Sequence, residues 1–215
     1  MIRLVIFDLD GTLINTLTDI AESTNYALKK HGFATHAEDA YRYMVGNGIE
    51  PLIRRALPEN ARNEETIALL MSDFKEYYLE HGEDFTKPYN GILDLLSELN
   101  SRGIKMAVAT NKFQAAALEL VPRFFGEGTF DIILGQRDGI ATKPDPIIVE
   151  QIMSELNVVK EDVLYLGDTS VDMETAVRGG IKAIGVTWGF RDVEELLASG
   201  ADHIIDAPME LVSLL

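Results

Sequence analysis

Five short hydrophobic runs, spaced by stretches of helical periodicity, limit this chain more than any other feature. They lie at residues 3–7 (RLVIF), 105–110 (KMAVAT), 131–134 (DIIL), 163–166 (VLYL) and 182–187 (KAIGVT). Near-continuous apolar runs of this length, rich in β-branched residues, suit strands buried on both faces of a parallel sheet. Helical patterns follow at 91–101, 113–121, 145–156 and 170–178, with Gly103 and the Gly179, Gly180 pair as stops for the first and last. Alternation of this kind predicts an α/β fold, a doubly wound, Rossmann-like parallel sheet with helices on both faces.

The first strand breaks the alternation. Helical spacing then holds through Leu17, Ile20, Ala21, Thr24, Ala27 and Leu28, and again through Ile67, Leu70, Met71, Phe74 and Tyr78, with no credible strand between. A crossover between parallel strands requires only a dozen or so residues, so some 65 helical residues read as an insert. The expected division is an α/β core of 1–16 and 84–215 with an α-helical cap at 17–83, residues 85–91 (FTKPYNG) forming the return linker.

Composition narrows the classes of function. Across 215 residues, 35 acidic side chains face 19 Lys plus Arg, a formal charge of −16 with no basic stripe, which argues against a nucleic-acid partner. No run approaches the ~18 apolar residues of a membrane span, and the first residues are too short an apolar run for a signal peptide. Cysteine is absent, which removes disulfides and thiolate chemistry. The expectation is a soluble, cytoplasmic protein.

Residues 7–13 (FDLDGTL) set Asp8 and Asp10 directly after the first strand, where open parallel sheets bind their ligands. Two carboxylates so close repel unless a cation or shared proton intervenes, and Mg²⁺ with its preference for oxygen ligands is suited to the task. A turn whose Asp side chains cap the next helix is the competing reading. Residues 163–173 (VLYLGDTSVDM) repeat the arrangement, bringing Asp168 and Asp172 to the same edge, so that four converging carboxylates favour a shared metal site. Thr110 and Asn111 end another strand with a hydroxyl and an amide able to hold anionic oxygens. Lys143, stiffened by Pro144 and Pro146, offers a point charge for a phosphate.

Taken in order, DLDGT at 8–12, Thr110-Asn111, Lys143-Pro144 and GDTSVD at 167–172 resemble the four motifs of the haloacid dehalogenase superfamily. The insert resembles that superfamily's first class of helical cap, and VGNGIEPLIRRAL at 45–57 is similar to the cap segment of phosphoglycolate phosphatases. The resemblance implies a phosphomonoesterase in which Asp8 is the nucleophile and Asp10 the general acid and base. Thr12 fixes the geometry of Asp10. Mg²⁺ is held by Asp8, the Asp10 carbonyl and Asp168, with Asp172 close by, and Thr110, Asn111 and Lys143 hold the phosphoryl oxygens. It implies a small phosphorylated metabolite as substrate, with Gly46, Asn47, Gly48 and Arg54 as specificity residues of the cap; a Gly-rich turn with solvated arginines is the competing reading there. A β-phosphoglucomutase-like phosphotransferase, a pyrophosphatase and a receiver-type phosphoacceptor module stay open beside the phosphatase.

Overall fold

Strand β1, Leu4–Phe7, is the middle of the molecule's main sheet, and all four of its side chains are wholly buried. Leu4 and Ile6 enter one layer of the core and Val5 and Phe7 the other, which is why the run is apolar without alternation. The computed structural model describes all 215 residues, and the chain divides into two units, Met1–Ile14 with Pro88–Leu215 and Asn15–Lys87. The two crossings run as short paired strands, β2 (Ile14–Asn15) and β3 (Lys87–Pro88).

The helical unit holds α1 (Leu17–Lys30), the short α2 (Glu38–Tyr41), α3 (Ile49–Ala56) and α4 (Glu64–His81). Two of these, α1 and α4, are long, and they carry the two stretches of helical spacing. Ile20, Ala21, Ala27 and Leu28 of α1 and Ile67, Leu70, Phe74 and Tyr78 of α4 are buried, while Met71 is only partly so. Asp19, in the first turn of α1, is 2% exposed and accepts hydrogen bonds from Phe85 N (3.1 Å), Thr86 N (2.8 Å) and Thr86 Oγ1 (2.5 Å). It thereby fastens the start of the unit to its end. Asp19→Ala leaves the Phe85 and Thr86 N–H groups without this acceptor, while the Thr86 hydroxyl keeps Gly82 O at 3.2 Å, so urea denaturation followed by circular dichroism is expected to show a loss of about 2–3 kcal/mol.

The other unit continues with α5 (Ile92–Ser101), β4 (Lys105–Phe113), α6 (Gln114–Phe125), β5 (Ile132–Gln136), α7 (Ile147–Leu156), β6 (Val163–Gly167), α8 (Ser170–Gly179), β7 (Lys182–Val186), α9 (Val193–Ala198) and β8 (His203–Ile205). The six strands order as β5-β4-β1-β6-β7-β8, every pair parallel. Successive strands step from β1 to β4 and β5, then return to β6 on the other side of β1. That reversal is the topological switch, and open parallel sheets bind their ligands beyond the carboxyl ends of the strands at such a point, here β4, β1 and β6.

Three local departures have physical reasons. Helix α6 runs through Pro122 to Phe125 instead of stopping at Val121, because Phe124 and Phe125 pack onto the core and Phe125 meets Phe130 edge-on. Helix α7 starts two residues later than its pattern, since Asp145 Oδ1 accepts the Ile147 N–H at 3.0 Å. Strand β4 does not end at Thr110 but continues to Phe113 with a register shift between Ala109 and Phe113. This irregularity spans Thr110, Asn111 and Lys112, and bulges of this kind re-aim side chains beside active sites.

Candidate active site

Asp8 follows β1 directly, and its backbone N–H bonds to Leu166 O of β6 at 2.9 Å, so the neighbouring strand fixes its position. The chain then turns sharply at Gly11, which has φ +90° and lies so close to the Asp168 carboxylate that a Cβ would overlap it. Only glycine satisfies both conditions. The turn brings Asp10 back to the same rim.

Lys143 is the hub. Its ammonium, 3% exposed, contacts Asp8 Oδ1 at 2.8 Å, Asp172 Oδ1 at 2.7 Å, Ala109 O at 2.9 Å and Tyr165 Oη at 3.0 Å. Asn111 fixes the backbone from which it projects: Lys143 N donates to Asn111 Oδ1 at 2.9 Å, and Asn111 Nδ2 donates to Lys143 O at 3.1 Å. The side-chain amide expected to hold phosphoryl oxygens is thus engaged in placing the lysine. Thr110 lies alongside, its Oγ1 accepting the Lys112 N–H at 3.1 Å.

The second acidic pair is equally fixed. Asp168, fully buried, accepts from Thr12 Oγ1 (3.1 Å) and Phe190 N (2.8 Å). The Thr12 hydroxyl therefore serves Asp168, whereas the family resemblance points it to Asp10; the Thr12 carbonyl accepts the Trp188 indole N–H at 3.0 Å. Asp172 does two things at once. Its Oδ2 accepts from Thr169 N and Oγ1 at the start of α8, and its Oδ1 faces Lys143 and the Tyr165 hydroxyl, at 3.1 Å. Capping and site membership are here compatible.

Asp8, Asp168 and Asp172 each present an oxygen within 4.8 Å of the other two. Burial first, and then the charge of Asp172, push the Asp8 carboxyl up to about 7 against the pull of Lys143. Asp168 is likewise driven well above the usual carboxylate range, by burial and then by Asp172 and Asp8. For Lys143, burial works against the charged form, but Asp172 and Asp8 outweigh it and hold the ammonium well above its ordinary value. Asp10 stands slightly apart, both of its oxygens on Lys112 Nζ at 3.1 and 3.3 Å. Around the site four carboxylates meet two ammonium groups, a formal excess of two negative charges that one divalent cation would offset. An all-oxygen donor set with depressed acidity fits Mg²⁺ or a similar hard ion.

The sequence pattern omits two members of this cluster. Tyr165 lies inside a run read as a plain strand, and Lys112 directly follows Asn111, past the expected end of its strand; their reach into the site depends on the register of β6 and the register shift in β4. Glu195 accepts the Ser170 N–H at 3.2 Å and pairs with Arg191 at 3.3 Å.

In the helical unit, Gly46 (φ 110°) and Gly48 (φ 89°) adopt left-handed backbone conformations around Asn47, just before α3. Arg55 grips this loop, donating to Met44 O and to Asn47 Oδ1, each at 2.7 Å. Arg54 pairs with Glu50 at 2.7 Å and Glu64 at 3.0 Å on the surface.

Comparison with known proteins agrees with this geometry. The haloacid dehalogenase-like hydrolase family model matches residues 5–186. A phosphoglycolate phosphatase of Aquifex aeolicus is 32% identical over 213 residues, covering 99% of this chain and 96% of its own. One from Pseudomonas putida is 31% identical, covering 95% of this chain and 76% of its own. Among solved structures, a candidate phosphoglycolate phosphatase from Lactobacillus delbrueckii subsp. bulgaricus superposes with a TM-score of 0.93 at 31% identity, covering 99% and 97% of the two chains. With its switch-point carboxylates, its buried lysine and these full-length relatives, the chain belongs to the haloacid dehalogenase-like hydrolases.

Proposed function

We propose that this protein hydrolyses a small phosphate monoester, phosphoglycolate or a close analogue, through an aspartyl-phosphate on Asp8 with Mg²⁺ bound. The observation that carries the proposal is the Lys143 ammonium set between Asp8 and Asp172 at the carboxyl end of β1. Asp8, the Asp10 carbonyl and Asp168 would hold the ion, with Asp172 in reserve. When bound, the cation supplies positive charge against the anionic phosphoryl oxygens and keeps Asp8 ionised.

Asp8 is the attacking group: one carboxylate oxygen bonds to phosphorus, and the ester P–O bond breaks with its electron pair going to the leaving oxygen. That oxygen takes a proton from Asp10. Water then attacks the same phosphorus and gives its proton to Asp10, and the Asp8–phosphorus bond breaks with its pair returning to the carboxylate. Lys143, beside Asp8, and the Thr110 hydroxyl face the charge that spreads over the phosphoryl oxygens. The loop at Gly46, Asn47 and Gly48, which precedes the N-terminus of α3, would take a substrate carboxylate. The names of the relatives support the substrate class.

The test is phosphate release from phosphoglycolate, p-nitrophenyl phosphate, pyrophosphate, sugar phosphates and nucleotides, each with Mg²⁺ and with EDTA. Turnover is expected only with the metal, at least ~100-fold above the EDTA rate, with phosphoglycolate foremost. Equal rates in EDTA would remove the metal from the account. Preference for a sugar bisphosphate, with transfer in place of release, would favour the mutase chemistry.

A further inference from the structure

We propose that Lys112 is the positioning residue for Asp10, holding its carboxyl on the leaving-group side of the site and away from the Asp8–Asp168–Asp172 cluster. This rests on the acid–base reading of Asp10 given above. Three observations lead to it. First, the Lys112 ammonium spans both Asp10 oxygens at 3.1 and 3.3 Å, and its side chain is only 5% exposed. A lysine so covered is seldom found unless it is paired. Second, the Thr12 hydroxyl, which the family resemblance directs to Asp10, is committed to Asp168 instead. Third, the backbone builds the arrangement deliberately. The Lys112 N–H is tied to Thr110 Oγ1, and the Lys112 carbonyl passes so near Gly135 that a Cβ there would stand 2.5 Å from it.

The bulge of β4 thus hands out three neighbouring jobs: Thr110 at the rim, Asn111 on the Lys143 backbone, Lys112 on Asp10. Each lysine holds one carboxylate of the first acidic pair, Lys143 on Asp8 and Lys112 on Asp10. Without Lys112, the Asp10 side chain is free to rotate out of line with the leaving oxygen. Proton delivery within hydrogen-bond reach is what general acid catalysis demands. When Asp10 gives its proton to that oxygen, the carboxylate it becomes already faces an ammonium.

The experiment compares an alkyl monophosphate with p-nitrophenyl phosphate, whose leaving group hardly needs a proton, in Lys112→Met, Lys112→Arg, Asp10→Asn and the Asp10→Asn/Lys112→Met double variant, all with saturating Mg²⁺. Lys112→Met is expected to lower kcat/KM on the alkyl ester by roughly 10–100-fold, a share of the general-acid contribution, and on p-nitrophenyl phosphate by less than about threefold. Lys112→Arg restores most of the alkyl-ester rate, and the double variant is no slower than Asp10→Asn alone. Should the Met variant not fold, Lys112→Gln, with its polar end, serves for the same comparison. Equal losses on both esters, or losses that multiply in the double variant, overturn the role of Lys112 while the discrimination in Asp10→Asn stands. If Asp10→Asn itself slows both esters equally, the acid–base reading fails and the proposal with it.

Discussion

Asp8→Asn is expected to abolish turnover, by at least roughly 10⁴-fold, while leaving the protein folded and, without metal, more stable than the wild type at alkaline pH. The catalytic half follows from the loss of the attacking oxygen. The stability half follows from burial. Asp8 is 6% exposed and its carboxyl is pushed up to about 7 from an unfolded value near 3.8. A carboxyl raised on folding binds a proton that the unfolded chain has released, so stability is greatest at the acid end of that window. It falls as pH rises from about 4 to about 7 and is flat beyond. At pH 8 in EDTA the wild type bears the full cost of a buried, like-charged group, on the order of 4 kcal/mol. The Asn variant does not, so its melting temperature is higher. Adding Mg²⁺ reverses the order by stabilising the wild type more. A lower melting temperature for the variant in EDTA would mean that the pairing with Lys143 outweighs burial.

Lys143→Met has the second large effect, and in the opposite direction. Its ammonium offsets the charge of Asp8 and Asp172 and meets the buried Tyr165 hydroxyl, so removal leaves buried carboxylates facing one another. Breaking a buried ion pair from one side costs about 3–5 kcal/mol. Urea denaturation at pH 7.5 in EDTA is expected to show that loss, with partial recovery near pH 5, where Asp8 takes up a proton. Phosphate release stays absent at either pH. Wild-type stability at pH 7.5 would contradict the role of Lys143 as the site's charge balance.

The residues that make up the site were legible because strand ends show in a sequence. Apolar runs that stop at Asp8, Thr110 and Asp168 place those residues at one sheet edge wherever the strands are parallel. What each side chain touches was not legible. The Thr12 hydroxyl bonds Asp168 and the Asn111 side chain bonds the Lys143 backbone, contacts that no motif spacing specifies, since hydrogen-bond choice depends on separations of tenths of an ångström. Lys112 reaches Asp10 from the stretch of β4 where the register shifts, and a one-residue slip sends alternate side chains to opposite faces. Strand β8 escaped notice for a different reason: three residues on a sheet edge, with a single neighbour, leave little pattern. The acidic pair at Asp168 and Asp172 offered both a cap and a site, and the structure uses Asp172 for each with a different oxygen.

The central claim is that phosphorus is transferred first to Asp8 and then to water. The stereochemical course at a chiral, isotopically labelled phosphoryl group tests it most directly. Two successive in-line displacements give overall retention, which is the predicted result. Overall inversion would show water attacking the ester in one step, and Asp8 would then be a ligand or base and not the nucleophile.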